Sequence, residues 1–534
     1  MRTRTLWVLL VACVVGSLTA AGAGAVPAPA CNNRTNNSPS KLVECITKAD
    51  LMAHLTALEN IAIANPGADG HPSRNSGEPG YLASVNYVKN LMQAAGYNVT
   101  IQTYTFPYFS YVGTPSLSEA SPTARGFMLV TDWNPGPSNG DATGAQIKPA
   151  GGIVIPSPGG TASGCDPSDF SGFAGKIALI QRGTCTFSQK IANAQDAGAV
   201  GVIIFNEGNT PDRSGVFSGS LSGIPTIPVA FTSFAIGQSL YNEYTAGTPP
   251  VMSLSVHVIS DTRNDYNVIA DSKTGDPNHV LVVDAHLDAI YGEGMLDNAT
   301  GSAAILDIAQ KMRNVEPTNK IRFIWFGGEE LGELGSKAYI NSLSQTDLSH
   351  VFYDLDADVF GTPNYSIGIL DPAAVDLFGR TVSKTFPQNV YEPSKIARDQ
   401  AVDFFNAAGY NHIFFSPVGT DAEQFNLAGI PASGLLTGQD CCKTQEEVDL
   451  FGGFLGNYDG TIPSFDGGCV DNPFRWCDNL TNVLPSNFEL MSKAFANMVA
   501  RMAFYTGALT QTQAQQQSVV FKKQVSAGRN SPTS

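Results

Sequence analysis

The chain is 534 residues long, 43% apolar and 15% charged, a globular composition that excludes wholesale disorder and collagen-like repeats. At roughly 100–200 residues per domain it has room for two to four domains. Its 47 acidic against 31 basic residues leave a net charge of −16, which argues against a surface built to neutralise nucleic-acid phosphates.

Arg2 and Arg4 precede an apolar run from Leu6 into the small residues Ala21 to Ala25, the order of a secretory signal, expected over residues 1–25. Ser17, Thr19 and the Gly/Ala-rich end make the same stretch a poor membrane span, and no stable insertion is expected after cleavage. Of nine cysteines Cys13 leaves with the signal, and the other eight are an even set for an oxidising compartment. Sequence neighbours pair Cys31 with Cys45 and Cys165 with Cys185, leaving Cys441 and Cys442 near Cys469 and Cys477. Among the glycosylation sequons Asn98 is the expected acceptor, whereas Asn298 lies where a glycan would obstruct the best catalytic motif.

Helical periodicity predicts amphipathic helices over Leu51 to Ala64 and Tyr81 to Ala95, separated by a polar, Gly-rich loop from Asn65 to Gly80. Residues 111–150, dense in Pro, Gly and Ser, read as boundary material, and alternating strand and turn segments then run to about Val258. After Asn264 apolar strands alternate with helices: Val268 to Ala270, Val280 to Ala285, the helix Thr300 to Arg313, Ile321 to Phe326 and Val351 to Leu355. That alternation implies an α/β sheet covered by helices. A last helix, Asn487 to Thr506, carries Phe488, Met491, Ala494, Met498 and Met502 as a core stripe, and the Gln- and Ser-rich residues 508–534 read as a disordered tail.

Three of these strands end in groups that bind metals or move protons. The first runs into D-A-H-L-D, placing His286 and Asp288 at its carboxyl end, where α/β proteins build their sites. Asp297 follows in G-M-L-D-N-A-T-G, ahead of a helix it could equally cap. The second strand runs into G-G-E-E, whose Glu329 and Glu330 suit one general base and one metal ligand. The third leads to Asp356 and Asp358 in L-D-A-D-V-F-G. Carboxylates mixed with imidazole suit Zn²⁺ or Mn²⁺, whereas H-E-x-x-H and P-loop motifs are absent.

On these motifs the chain resembles the secreted and vacuolar co-catalytic zinc aminopeptidases, the bacterial leucyl aminopeptidase and aminopeptidase Y type, in the version with an inserted protease-associated (PA) domain. E-P-G-Y-L-A-S-V-N-Y-V, residues 78–88, is similar to the family's amino-terminal helix entry. The run G-C-D-P-S-D-F-S-G-F-A-G-K-I-A-L-I-Q-R-G-T-C-T-F, residues 164–187, with A-G-A-V-G-V-I-I-F-N, residues 197–206, resembles a PA domain. The resemblance implies a mixed β-sheet flanked by helices, of the zinc-exopeptidase, phosphorylase/hydrolase-like type, with a β-rich insertion. It divides the chain into a peptidase part over residues 46–115, a PA domain over 120–257 and the rest of the peptidase over 258–507. It also implies two zinc ions per chain: His286 and Asp358 on one, Glu330 on the other, Asp297 bridging, Glu329 as general base, and Asp288 orienting the His286 ring. A water between two ions about 3.5–4 Å apart would lose its proton to Glu329 and attack the scissile carbonyl. The implied substrates are peptides with a free N-terminus, and the expected state is a monomer.

One motif departs from the family. Where a C-Y-H stands before C-D, this chain has C-V-D-N-P-F-R-W-C, so Val470 replaces the tyrosine and Asp471 the last histidine ligand. Asp471 is either a carboxylate ligand or a solvated loop residue, and His412, the last histidine of the chain, could enter the site or lie in core or surface. The break leaves room for a pseudopeptidase that uses the scaffold for binding, as the transferrin-receptor branch does. A glutamate-carboxypeptidase-like enzyme fits less well, because few residues follow Cys477 where that branch carries a long helical dimerisation domain.

Overall fold

The computed structural model describes residues 28–290, 292–374, 384–439, 442–458 and 478–507. Eight strands form a mixed sheet in the order Asn98–Tyr111, Val258–Asp271, Asn319–Phe326, Asp276–His286, Val351–Ala357, Ala432–Leu436, Gly368–Leu370, Ile413–Phe415. Its centre, from Asn319–Phe326 to Ala432–Leu436, is parallel, and the two long strands at one edge are antiparallel. Helices on both faces explain why the central strands read as continuous apolar runs: Val351–Ala357 is buried at every position.

On one face Leu281, Val283, Phe323 and Leu355 pack against Leu51, Val85, Ile305, Phe488 and Met491 from the helices Lys48–Ala64, Pro79–Ala95, Thr300–Met312 and Pro485–Ala503. The stripe from Phe488 to Met502 is fully buried, as its spacing predicts. On the other face Val282, Ile324 and Phe326 meet Tyr339 and Phe425 from Leu334–Ser342 and Ala422–Leu427. Each large apolar side chain buried this way contributes roughly 1.5–3 kcal/mol.

A second mixed sheet of eight strands lies between residues 116 and 256 and has its own core around Trp133, Leu179, Ile203 and Phe205. The insertion is anchored by pairing: Asn98–Tyr111 and Val258–Asp271 run antiparallel from Asn98 opposite Asp271 to Tyr111 opposite Val258, so the chain leaves and re-enters the first sheet at adjacent positions. Residues 111–150 are not boundary material, since Ser116–Ser121, Arg125–Phe127, Trp133–Gly136 and Gly140–Pro149 are strands of the second sheet. Their apolar residues are sparse, and cross-strand pairing with Val251–Val256 rather than local composition holds Ser116–Ser121 and Gly140–Pro149 extended.

Cys31 pairs with Cys45 and Cys165 with Cys185, as neighbourhood suggests, and Cys442 is also disulfide-bonded. Cys441, Cys469, Cys477, the signal segment and the tail lie outside the described residues. Asn98 is exposed, whereas Asn298 is fully buried. Among the described residues no helix is long and apolar enough to cross a membrane.

Candidate active site and metal centre

Strand register brings the motifs together. Asp284 sits opposite Asp356 and His286 opposite Phe326, so His286, Asp358 and the turn Gly327–Glu330 emerge side by side at the carboxyl ends of three parallel strands. His286 Nε2 lies 3.1 Å from Asp297 Oδ1, 3.3 Å from Asp358 Oδ1 and 3.8 Å from Glu329 Oε2. One ligand atom each of His286, Asp297 and Asp358 falls within 4.8 Å of the others, and all three residues are buried. The other imidazole edge faces Asp288, with Nδ1 3.5 Å from its Oδ1 and 3.3 Å from its carbonyl oxygen. With Nδ1 turned to Asp288 as a donor, Nε2 is the ring atom that faces the carboxylates and would be offered to a metal ion.

Asp297 is aimed by a loop that needs help to stay buried. Asp478 accepts backbone N–H bonds from Leu296 at 2.8 Å and from Asp297 at 2.8 Å, while its own carbonyl accepts from Met295 N at 3.1 Å. Arg74, fully buried, donates to the carbonyls of Glu293 and Gly294, each at 2.6 Å, and to that of Leu287. Gly294 has φ 58°, and a Cβ there would fall 2.6 Å from the Asp297 carbonyl oxygen, so the turn requires glycine. Asn298 accepts from Gly301 N and Val359 N and donates to Ala357 O, tying the Asp297 loop to the strand that delivers Asp358. Ser76 Oγ donates to Asp288 Oδ2 at 3.1 Å and accepts from Gly328 N at 2.8 Å, linking the His286 and Glu329 strand ends.

The site is dense in negative charge. Burial alone would lower the His286 imidazole, but Glu329, Asp288, Asp297 and Asp358 outweigh it and hold its protonation well above the usual value. Burial raises Glu329 and Glu330 well above the usual carboxylate range, which His286 only partly offsets. Burial also pushes Asp478 up to about 7 and Arg74 down to about 10. A second tier below the cluster contains Asp284 and Asp354, buried carboxylates without a hydrogen-bond partner, whose pKa values burial and the neighbouring carboxylates Asp356 and Asp421 drive well up.

Of the residues expected from sequence, His286, Asp297 and Asp358 converge, Glu329 borders them, and Asp288 stands behind the imidazole. Glu330 is adjacent but does not complete the group, and its Oε1 is buried without a partner. Asp471 lies outside the described residues. His412 is not in the site; its ring packs 6.4 Å from that of Phe405 and 5.9 Å from that of Phe414. Sequence reasoning missed Ser76, Arg74 and Asp478. The first two are hidden in a segment that reads as a polar loop, and the only trace of Asp478 is its place in C-D-N-L.

The residues present fit a divalent cation. Asp358 Oδ1 and Glu330 Oε1 are buried with no hydrogen-bond partner, and Arg74 spends its donors on carbonyls. One imidazole among several carboxylates is a donor set for zinc or a similar ion. Such a centre at the carboxyl ends of a parallel sheet defines an α/β metalloprotein with a hydrolytic site.

The comparisons agree. The chain matches the model of peptidase family M28 over residues 267–476 and that of the PA domain over residues 149–240. It is similar to an aminopeptidase of Pseudomonas aeruginosa, 34% identical over 480 residues that cover 88% of this chain and 83% of that protein. It is also similar to leucine aminopeptidase 2 of Trichophyton rubrum, 31% identical over 461 residues, 85% of this chain and 84% of that one. In fold it resembles an aminopeptidase from Aneurinibacillus sp. strain AM-1, with a TM-score of 0.51 at 21% identity over 88% of this chain and 97% of the other. BSAP, a zinc aminopeptidase from Bacillus subtilis, gives a TM-score of 0.52 at 20% identity over 87% and 98%. The chain therefore belongs to peptidase family M28, as a metallo-exopeptidase with a PA domain inserted in its peptidase fold.

Proposed function

We propose that this protein is a secreted or vacuolar zinc aminopeptidase that removes N-terminal residues from peptides. The observation that carries the reading is the convergence of His286, Asp297 and Asp358 with Glu329 beside them, in a chain similar to curated aminopeptidases over most of its length. The signal-like order of residues 1–25 in the sequence and two disulfides support export. We assign the peptidase to residues 46–115 and 258–507 and the PA domain to 120–257, a division supported by the separate second sheet.

In this reading His286, Asp297 and Asp358 would hold one zinc, and Glu330 would help hold a second, with Asp471 as the candidate replacement for the family's last histidine. Bound there, zinc would acidify a water and polarise the scissile carbonyl. Glu329, whose carboxylate lies 3.8 Å from His286, takes the water's proton and returns it to the leaving nitrogen. Asp288 keeps the imidazole proton on Nδ1 so that Nε2 stays a ligand, and the carboxylates attract the substrate's ammonium.

Zinc per chain, by mass spectrometry of the zinc-dialysed mature protein, is expected to be two, together with hydrolysis of leucinamide and none of N-acetyl-leucinamide. Glu329→Gln is expected to keep its zinc and lose about 10²–10⁴-fold in kcat/KM. Failure to bind zinc would sink the enzyme reading and favour a binding scaffold.

A further inference from the structure

A cavity of about 360 Å³ has an aromatic and aliphatic wall of Phe106, Tyr108, Phe109, Ala289 and Leu331, with Asp69, Asn75, Ser76 and Glu78 also lining it. Its walls come from the same pieces of chain as the site. Leu331 directly follows Glu330, Ala289 directly follows Asp288, and Ser76 donates to Asp288. Sheet order places the Glu329 strand between the His286 strand and the two long edge strands, so the edge strand that carries Phe106, Tyr108 and Phe109 lies on the Glu329 side of the His286 strand.

The wall suits an apolar guest. Tyr108 OH is spent on Glu78 at 2.7 Å, whose other oxygen accepts from Ser73, and Ser76 is spent on Asp288 and Gly328 N. Arg263 stacks over the Tyr108 ring at 3.4 Å and donates to Gly77 O at 2.9 Å, bracing the wall from behind. Phe109 and Leu331 remain 48% and 46% exposed, large apolar side chains whose surface a ligand would cover.

Reaction chemistry gives the cavity its side. A general base that takes the proton from water must hand it to the departing amine, so the second residue, which carries that amine, lies on the Glu329 side of the scissile bond. We propose that this cavity receives the side chain of the second residue of the peptide and favours large aliphatic or aromatic side chains there. The inference rests on the aminopeptidase reading with Glu329 as base.

Steady-state kinetics of the zinc-loaded protein on Leu-Phe, Leu-Gly and leucinamide tests it. The wild type is expected to prefer Leu-Phe over Leu-Gly, chiefly through KM. Phe109→Ala and Leu331→Ala should each cut that preference by about tenfold, and Phe109→Leu should keep most of it. A preference that survives both alanine variants overturns the subsite, as does a selectivity change confined to the first residue, read as Leu-Gly against Ala-Gly. Hydrolysis of leucinamide without preference for Leu-Phe would overturn the subsite and spare the aminopeptidase reading. Absence of hydrolysis on every substrate would overturn both.

Discussion

At the end of Asp276–His286 the imidazole has two edges with different work: Nδ1 toward Asp288, Nε2 toward Asp297 and Asp358. His286, Asp288, Asp297 and Glu329 were legible in the sequence because each stands beside a glycine or at the end of an apolar run. Their distances were not, because a strand end fixes a residue's level but not which neighbour it meets. Asp307 is the residue-scale case that sequence could not anticipate. It is buried in Thr300–Met312, 3.5 Å from Lys311, and burial pushes it up to about 7 despite that cation. A folded pKa above the unfolded value of about 3.9 means stability that is complete below pH 4 and lost as pH rises through 7. Asp307→Asn mimics the neutral form, so its stability advantage over the wild type, read by denaturant unfolding, should grow between pH 5 and pH 8 by up to about 3 kcal/mol. A gap that does not widen with pH would refute this account.

At the scale of elements, the strands and long helices were readable because their apolar spacing is set by burial. The loop from Asn65 to Gly80 was not, since a polar, Gly-rich segment looks the same whether it lies in solvent or is folded into the site. Its Arg74 is fully buried and ties down carbonyls on both sides of residue 291. Truncation to alanine strands those acceptors, at about 1–3 kcal/mol each. Arg74→Ala is therefore expected to lower Tm by at least about 5 °C and to reduce zinc content. Lysine, with a single point of charge, should restore only part of the loss. An unaltered Tm and zinc content would remove Arg74 from the support of the Asp297 loop.

Over the whole molecule, every described residue of the proposed metal centre belongs to the first sheet and its loops, and the second sheet has separate cores. The chain crosses from the first module to the second after Tyr111 and returns at Val258. Removing the metal leaves buried carboxylates facing one another, and a ligand at 100 times its Kd adds about 2.7 kcal/mol of stability. Calorimetry should therefore show a chelator lowering the transition of the peptidase module, with zinc restoring it, while the transition of the inserted module stays in place. A chelator that moves neither transition would refute a tightly held metal.

What the sequence by itself determined is the set of elements and the chemistry they carry: parallel apolar strands ending in histidine and carboxylates, a resemblance to a known family, and two disulfide pairings. These are local properties, written in apolar period, turn residues and motif spacing. The tertiary structure alone decided which groups share one space. Register placed Asp284 opposite Asp356 and so drew His286 level with Asp358, and Asp478 arrived from the far end of the chain to hold Asp297. It also turned residues 111–150 into sheet and Arg74 into the brace of a buried loop. The physical reason is that hydrogen-bond partners across a sheet and the burial of polar groups depend on segments distant in sequence, which no local pattern records.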